Sequence, residues 1–397
     1  MSGFYDARDQ EAPDVREARL LALIGAVAGM SERGDGRFDR AALETLPVLR
    51  KSDLPRLQAE RPPFGDLVPG RVADFPRLFL SPGPICEPQL PAPDGSNAAR
   101  ALHAAGFRAG QIVLNTFNYH LTPGGFMMDE AARALGCAVI PAGASGTEQM
   151  LQVLARYQPE AYVGTADHLN ILAGAADAAG MAFPVERAAV AGAAVPATLR
   201  AAFRARGIEV FELYGTAELG IVAYETDAHD GLVVNEDLLV EIVDPAIGRA
   251  AAQGEAGEVV VTRPDPRYPL IRFGTGDLSA VKSGASGCGR TAMRLRGWLG
   301  RVDDTVKVKG MFVHPSHVSE VARAHPEIVR ARFVVSRADE RDVLTLEAEV
   351  EAPAAGLEVR MAETLRAVTR LGGVVCLMPL GAVPDDGSRI VDTRRYD

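Results

Sequence analysis

The amino-acid sequence predicts an α/β protein: a large N-terminal domain with a doubly wound, mostly parallel sheet and a β-rich subdomain, then a small C-terminal α+β domain. The length of 397 residues exceeds the roughly 250–300 residues at which single cores stop growing, which indicates two domains. Short apolar runs alternate with helical segments as far as Phe211, and strands and turns replace this alternation after Gly220. The pattern changes again near Arg301, so we expect domains at 1–300 and 301–397.

The elements of the N-terminal domain follow from apolar spacing. Residues 14–30 predict a helix, and residues 78–80 a strand with residues 81–88 as the loop after it. Five apolar runs predict the parallel strands, namely residues 112–116, 138–141, 161–163, 188–191 and 209–211. The segments between them have helical spacing, most clearly residues 147–157, which Thr147 can cap. Such a strand–helix repeat favours a parallel sheet with helices on both faces.

The rest of the chain has a different order of elements. Runs at 238–243 and 257–262 predict the strands of the β-rich subdomain. Alternating residues at 305–313 predict a hairpin with Gly310 at its turn. The remaining elements expected are a helix at 315–325 capped by Ser316, strands at 332–336 and 344–350, a helix at 357–371 and a last strand at 374–378.

Composition narrows the class of protein. A net charge of −10 and a pI near 5.3 argue against non-specific binding to nucleic acid or to an anionic membrane. The sequence contains no apolar run of about 18 residues, and its start lacks the pattern of a signal peptide. Four scattered cysteines without a CxxC pair suit reduced thiols. We therefore expect a cytoplasmic protein.

The segment 212–220 carries the first functional signal. It follows a predicted strand and places Tyr214, Thr216 and Glu218 beside Gly215. An aromatic ring, a hydroxyl and a carboxylate at a strand's carboxyl end suit a nucleotide with its metal, because ligands of open α/β sheets bind there. The alternative is a strand-to-loop turn with a solvated Glu218.

Two later segments complete an ordered set of motifs. They are residues 269–277 and 297–310, and between them lie the short motifs 230–232, 240–245 and 254–258. In this order the set resembles the adenylate-forming acyl-CoA synthetases, most closely the phenylacetate-CoA ligase branch. The resemblance implies an AMP-forming ligase that uses ATP and Mg²⁺ to convert an aryl or similar carboxylate into an acyl-adenylate. It also implies transfer to CoA or to a carrier-protein thiol, and it is compatible with a homodimer.

The resemblance also implies roles for nucleotide-site residues. Tyr214 would lie against adenine, beside Gly215; Thr216 would bond the phosphate, and Glu218 would hold Mg²⁺. Asp277 would accept both ribose hydroxyls, with a turn residue as the alternative, and Arg301 would bind ribose or phosphate. Gly192 and Ala193 match a family loop whose backbone would lie under the adenine and the acyl group.

Further residues match the acyl and CoA regions of the family. The acyl pocket would be lined by Tyr119, His120, Gly124 and Gly125, with His120 equally well a surface residue. Asp303 matches the hinge about which the mobile C-terminal domain swings. Lys307 and Gly310 would border the path of CoA, although alternating lysines on a hairpin also suit a solvated face.

The sequence departs from the family at the phosphate loop and at the C-terminal tail. Residues 81–88 contain three prolines and carry Glu87 where a lysine is expected, which makes a poor cradle for a triphosphate. In the tail Ser388 takes the place of the catalytic lysine, with Arg389 beside it as the remaining cation. The region around Cys288 retains too few ligands for zinc, so we expect none.

Three functions stay open at this point. The first is a ligase with a changed phosphate loop. The second is a relative that binds AMP, acyl-adenylate or acyl-CoA without efficient ATP activation and transfers an acyl group. The third is a non-catalytic partner of another protein.

Overall fold

The computed structural model describes residues 10–29, 38–81, 84–252, 254–302, 306–308, 311–338 and 341–394. The helices in this part of the chain are α1 Pro13–Val27, α2 Arg40–Glu44, α3 Leu54–Glu60, α4 Ala98–Ala104, α5 Gly124–Ala134, α6 Thr147–Tyr157, α7 Ala166–Ala178, α8 Ala197–Ala205, α9 Pro315–Ala324 and α10 Leu357–Thr369. Two 3₁₀ turns, Lys51–Asp53 and Val72–Asp74, lie between them.

The strands, in chain order, are β1 Leu49–Arg50, β2 Leu78–Ser81, β3 Ile85–Pro88, β4 Ile112–Asn115, β5 Ala138–Pro141, β6 Ala161–Gly164, β7 Arg187–Val190, β8 Glu209–Thr216, β9 Gly220–Tyr224, β10 Leu232–Val234, β11 Leu239–Val243, β12 Gly257–Arg263, β13 Leu270–Ser279, β14 Val281–Lys282, β15 Arg294–Leu295, β16 Gly300–Arg301, β17 Val306–Val308, β18 Met311–Val313, β19 Ile328–Ala338, β20 Arg341–Val350, β21 Val374–Met378 and β22 Ile390–Asp392.

The chain forms two compact units. The first comprises Met1–Thr275 with Ser279–Trp298, and the second Gly276–Leu278 with Leu299–Asp397. Strand β13 therefore begins in the first unit, and its residues 276–278 belong to the second.

The main sheet of the first unit is nine-stranded, in the order β14-β15-β10-β9-β8-β7-β6-β4-β5. Strands β5, β4, β6, β7 and β8 pair in parallel, and the others pair antiparallel. Neighbouring residues of β4 face opposite sides: Val113 packs with α4 and α5, and Leu114 packs with α6, α7 and α8. Both faces are thus covered by helices, and the predicted doubly wound α/β fold is confirmed.

A second sheet in this part of the chain has the order β1-β13-β12-β11, with β16 paired to β13. Every residue of β11 and β12 is buried, and an apolar cluster around Phe273 and Val261 lies beneath them. This sheet is the predicted β-rich subdomain. The short β1 joins it by pairing in parallel with β13, Leu49 opposite Phe273.

The second unit contains a four-stranded sheet, β21-β20-β19-β22, whose apolar face packs against α9 and α10. The prediction that β21 is the last strand was wrong, because β22 follows it and pairs in parallel with β19. Its three residues, Ile390–Asp392, are too short to show a periodic pattern, so only the pairing with β19 makes them a strand.

Three other local predictions need correction. Residues 81 and 85–88 are not loop residues but belong to the antiparallel hairpin β2–β3, with Phe79 opposite Glu87. Helix α6 begins at Thr147 and its N-cap is Gly146, and helix α9 is capped at His314 rather than at Ser316. The predicted hairpin at 305–313 corresponds to β17 and β18, with Val306 opposite Val313; its turn residue Gly310 lies outside the described residues.

Candidate nucleotide site

The segment 212–220 forms a tight hairpin at the carboxyl end of β8. Strand β8 continues to Thr216 and turns directly into β9 at Gly220, with a bulge between Tyr214 and Gly215. A side chain at Gly215 would clash with the carbonyl oxygen of Gly220, and one at Gly220, where φ is +76°, would clash with Ser96. Both positions therefore need glycine, which explains the spacing of the motif.

Tyr214 and Thr216 are held by hydrogen bonds within the first unit. The Tyr214 hydroxyl donates to Thr275 Oγ1 at 3.2 Å, and Thr275 donates to the Val259 carbonyl at 2.9 Å. The Thr216 hydroxyl oxygen accepts from the Leu219 amide at 3.3 Å and so closes the turn. The predicted aromatic ring and hydroxyl are thus positioned by backbone and side-chain contacts rather than left free on a loop.

Glu218 is not the solvated carboxylate of the alternative interpretation. It is 1% exposed, and its Oε1 lies 2.9 Å from Lys51 Nζ. Its better-directed hydrogen bond is the one that Lys51 donates to Oε2 at 3.2 Å. The main-chain carbonyl of Glu218 accepts a 2.6 Å hydrogen bond from Arg263. A buried carboxylate with a cation beside it is the arrangement that burial of charge requires.

The sequence analysis missed Lys51 and Arg263. Lys51 begins the 3₁₀ turn after β1, and the parallel pairing of β1 with β13 brings it to Glu218 across 167 residues of chain. Arg263 ends β12 and lies over the ring of Tyr268, 4.7 Å from its centroid. The local sequence contains no signal that could have found Lys51, because nothing in 49–53 marks a lysine that pairs with a distant carboxylate.

Glu87, predicted to oppose a triphosphate on an open loop, is instead buried. It is 1% exposed, and its Oε1 accepts a 2.6 Å hydrogen bond from Ser81 across the β2–β3 hairpin. Burial, reinforced by the charge of Glu218, raises the pKa of Glu87 to about 7, although Ser81 and Lys51 oppose this. Glu87 is buried because side chains alternate along a strand, and Ser81, Ile85 and Glu87 all lie on the buried face of the hairpin.

Asp277 and Arg301 form a pair within the second unit. They are register partners on β13 and β16, and Arg301 NH1 lies 3.1 Å from Asp277 Oδ1. A side chain at Gly276 would come within 2.8 Å of the Arg301 guanidinium. The alternative interpretation of Asp277 as a turn residue was wrong, because residues 270–279 are a continuous strand.

The loop after β7 carries the small residues expected beneath a nucleotide. Gly192 has a φ of +95°, and Gly192, Ala193 and Ala194 are exposed. The loop is tied to β8, because the Val195 amide donates to Glu212 Oε1 at 3.1 Å. Burial and the charge of Glu225 raise the pKa of Glu212, against the opposing charge of Arg200.

The residues proposed for the acyl pocket lie at the start of α5. The Tyr119 hydroxyl accepts from Asn115 at 2.7 Å and donates to Asp129 at 3.2 Å, and burial raises its pKa. Gly125 allows close packing, since an added Cβ would lie 2.7 Å from the Tyr119 ring. Gly124 is the first residue of the helix, and His120 is exposed with Nδ1 3.0 Å from Asn118.

Residues of helix α5 and of the segment that carries Glu218 line the same small cavity. The cavity has a volume of ≈ 30 Å³, and its lining includes Phe79, Phe126, Met127, Ala217 and Glu218. This volume has room for about one or two water molecules and not for an aromatic ring. Helix α5 and the segment 217–220 are therefore neighbours in the first unit.

The remaining predicted residues lie in the second unit. Arg389 is exposed just before β22, and its carbonyl accepts from the Phe333 amide at 2.9 Å. Lys307 is the middle residue of β17. Asp303, like Gly310, lies outside the described residues.

The described residues contain neither a group of side chains that could hold a metal ion nor a helix that could span a membrane. No three His, Cys, Asp or Glu side chains among these residues are arranged to hold a metal ion. Burial raises the pKa of the Cys288 thiol, but hydrogen bonds from Ser286, Thr226 and Arg290 outweigh it and leave this pKa below its usual value. No helix in the part of the chain that the structure describes is long and apolar enough to cross a membrane.

Comparisons with known proteins define the class. The family model for AMP-binding enzymes matches residues 96–265. The chain is similar in fold to 2-hydroxyisobutyryl-CoA ligase, which was solved in an open conformation in complex with 2-HIB-AMP and CoA. The TM-score is 0.83 at 22% identity, over 97% of this chain and 93% of that one.

Two relatives define the branch. The phenylacetate-coenzyme A ligase of Thermus thermophilus is 31% identical over 350 residues, which are 83% of this chain and 77% of the relative. That of Aromatoleum evansii is 30% identical over 263 residues, 64% of this chain and 59% of the relative. The chain therefore belongs to the adenylate-forming acyl-CoA ligases, in the phenylacetate-CoA ligase branch.

Proposed function

We propose that this protein is an AMP-forming ligase that activates a carboxylic acid with ATP to an acyl-adenylate and passes the acyl group to the thiol of CoA. The observation that carries the proposal is made in the hairpin 212–220. There Glu218, two residues after Thr216, is buried against the ammonium of Lys51. Membership in the family supports the same activity. Adenylation needs mainly positioned groups and neutralised phosphate charge, and these residue types suit that task.

Each residue of the nucleotide site has a proposed task. The Tyr214 ring, fixed through Thr275, would stack on adenine, with Gly215 and the loop of Gly192 and Ala193 close to the base. The Thr216 hydroxyl would donate a hydrogen bond to the α-phosphate, while its oxygen still accepts the hydrogen bond from the Leu219 amide. Asp277 would accept the ribose hydroxyls, and its ion-pair partner Arg301 would contact ribose or phosphate.

Magnesium fits the residues beside this hairpin. Glu87 Oε2 is buried without a hydrogen-bond partner among the described residues, and Glu218 Oε1 lacks a well-directed one. Oxygen ligands of this kind suit Mg²⁺, which proteins bind through one or two carboxylates together with substrate phosphates. Glu218 would hold the ion, which when bound neutralises phosphate charge.

The acid and the acceptor are proposed from the branch. An aryl acid is the first candidate, with Tyr119, His120, Gly124 and Gly125 near its ring, and a carrier-protein thiol is the alternative acceptor to CoA. A homodimer is compatible with the proposal.

The second unit would supply the mobile parts. Residues 301–397 would swing about Asp303 relative to the AMP-binding domain 1–300, as the family does between its two half-reactions. Lys307 and Gly310 would then border CoA. Arg389, exposed and next to Ser388, would take the place of the catalytic lysine.

A second candidate is favoured by the two departures from the family pattern. The family pattern has a lysine at the position of Glu87, in the hairpin β2–β3, and at the position of Ser388, in the tail. Without these two cations the protein would bind AMP, acyl-adenylate or acyl-CoA without efficient ATP activation. It would then transfer acyl groups or act as a non-catalytic partner.

Exchange of labelled pyrophosphate into ATP, measured over a panel of acids, separates these functions. The panel contains phenylacetate, benzoates, short fatty acids and 2-hydroxyisobutyrate, with Glu218→Gln as the inactive control. The ligase proposal expects exchange that depends on one acid class, followed by a CoA thioester when CoA is added. Absence of exchange with every acid, together with binding of AMP, would leave the second candidate.

A further inference from the structure

A charged network connects helix α8 with strand β8 and with the loop that would lie beneath the base. We call it the Arg200 network; it consists of the Arg200 guanidinium, the carboxylates of Glu212 and Glu225, and the His229 ring. Arg200 lies on α8, Glu212 on β8, and Glu225 directly follows β9. The side chains of Arg200, Glu212 and Glu225 are 21%, 20% and 9% exposed. None of the four residues has a task in the proposed function.

Arg200 neutralises both carboxylates with a single nitrogen. Its NH2 donates to Glu212 Oε1 at 2.7 Å and to Glu225 Oε2 at 3.0 Å. Its NH1 donates to the Val210 carbonyl at 2.8 Å and lies 3.3 Å from His229 Nδ1. The two carboxylates are therefore close to each other. Without the guanidinium between them, two like charges would face each other at a place that is largely removed from water.

The same oxygen of Glu212 anchors the loop between β7 and α8. Glu212 Oε1 accepts a hydrogen bond from the Val195 amide at 3.1 Å. At the other end of the loop, the Ala191 amide donates to the Gly164 carbonyl at 3.1 Å. Residues 192–194, between these two anchors, are exposed and make no hydrogen bond to any described residue. The shape of this stretch therefore depends on its two anchors, one of which is the carboxylate of Glu212.

Glu212 has room to turn away from Val195 when its cation is removed. Glu212 and Glu225 line a pocket of ≈ 590 Å³, so a rotated Glu212 side chain would meet open space. Glu225 is held more firmly, because its Oε2 also accepts the Glu212 amide at 2.8 Å and its side chain is the more buried of the two. Repulsion between the two charges would therefore move Glu212, and the Val195 amide would lose its acceptor.

We propose that Arg200 is a positioning residue for the nucleotide. By neutralising both carboxylates it keeps Glu212 hydrogen-bonded to the Val195 amide, and residues 192–194 stay in the shape that receives the base. The proposal rests on the proposed function, which puts this loop close to the base. Arg200 acts through Glu212 and does not touch the ligand. A contact with the base is the same before and during the reaction, so loss of Arg200 weakens nucleotide binding and leaves the chemical step unchanged.

Hydrogen–deuterium exchange of the full-length protein tests the loop without any nucleotide. Val195 supplies the one hydrogen-bonded amide of residues 192–196, all of which the structure describes, because Pro196 has no N–H. Arg200→Met should exchange this amide at least about tenfold faster, the factor expected for loss of a hydrogen bond to a charged group. Adding Glu225→Gln should restore the parental rate, because glutamine carries no charge and its side-chain amide can donate to the carboxylate that Arg200 held. Arg204→Met, an exposed residue on the same helix outside the network, is the matched control and should exchange as the parent does.

Calorimetry with AMP and the kinetics of pyrophosphate exchange test the consequence for the nucleotide. Arg200→Met should bind AMP about tenfold more weakly and raise the KM for ATP by a similar factor, while kcat stays within about twofold of the parent. The double variant with Glu225→Gln should recover the AMP affinity to within about threefold. If Arg200 had a structural role only, removal of the charge on Glu225 would not restore AMP binding.

Two results would overturn the proposal: the Val195 amide of Arg200→Met exchanges at the parental rate, or the loss of AMP affinity survives in the double variant. If Arg200→Met fails the check of folding by circular dichroism, Arg200→Lys takes its place; lysine keeps the charge without the planar fork, so the same changes should appear with smaller size. A parent that binds no AMP and exchanges no pyrophosphate, yet shows the expected exchange at Val195, would refute the proposed function and still support Arg200 as the residue that holds the loop.

Discussion

Glu87→Gln should stabilise the protein at alkaline pH and leave its stability unchanged at acid pH. Burial raises the pKa of Glu87 from 4.5 to about 7, so between these values the unfolded chain has released the proton while the folded chain retains it. Stability therefore falls as the pH rises through this window. Each pH unit corresponds to 1.36 kcal/mol, so the full effect is about 3 kcal/mol. A glutamine side chain retains an oxygen that accepts the hydrogen bond from Ser81. Because it does not ionise, the loss of stability with rising pH disappears.

The assay is urea unfolding followed by far-ultraviolet circular dichroism at pH 5, 6, 7 and 8, without nucleotide or metal. The quantity of interest is the free energy of unfolding of the variant minus that of the parent, because the other titrating groups cancel in this difference. It should grow by about 2.5 kcal/mol from pH 5 to pH 8, because a small part of the effect is already present at pH 5. Glu148→Gln, an exposed carboxylate in the first turn of α6, should differ from the parent by less than about 0.5 kcal/mol throughout. A Glu87→Gln difference that stays flat across these pH values would refute the burial argument.

Three further predictions concern binding, catalysis and packing. Asp277→Ala should weaken AMP by about 1.5–3 kcal/mol in calorimetry, the value of hydrogen bonds to a charged group, and unchanged affinity would contradict its ribose role. Glu218→Gln should lower pyrophosphate exchange at least about 100-fold while AMP affinity stays within about twofold, because a bound metal is worth several kcal/mol only where phosphate charge is neutralised; equal losses of both would point to a misfolded hairpin. Gly125→Ala should cost about 1–3 kcal/mol of stability through its clash with the Tyr119 ring. Gly174→Ala, which meets no atom within 4 Å in the middle of α7, should gain up to about 1 kcal/mol, and chemical denaturation of both variants checks the pair.

The local sequence was enough for most of the fold. The five parallel strands from β4 to β8 were predicted because buried strands of this kind are continuous apolar runs separated by helical spacing. The segment 212–220 was predicted as a turn after a strand that ends at Phe211, whereas β8 continues to Thr216 and pairs with β9. Strand β22 was missed because three residues carry no period, and its existence depends on pairing with β19.

The sequence by itself determined the family and the main sheet, since each motif and each apolar run consists of residues close together in the chain. Only the tertiary structure decided the environment of those residues. The pairing of β1 with β13 brings Lys51 to Glu218 across 167 residues, and the alternation of β3 turns Glu87 inward, where burial raises its pKa. Charge, burial and proton affinity depend on atoms within a few ångströms in space, and a linear pattern does not contain those distances.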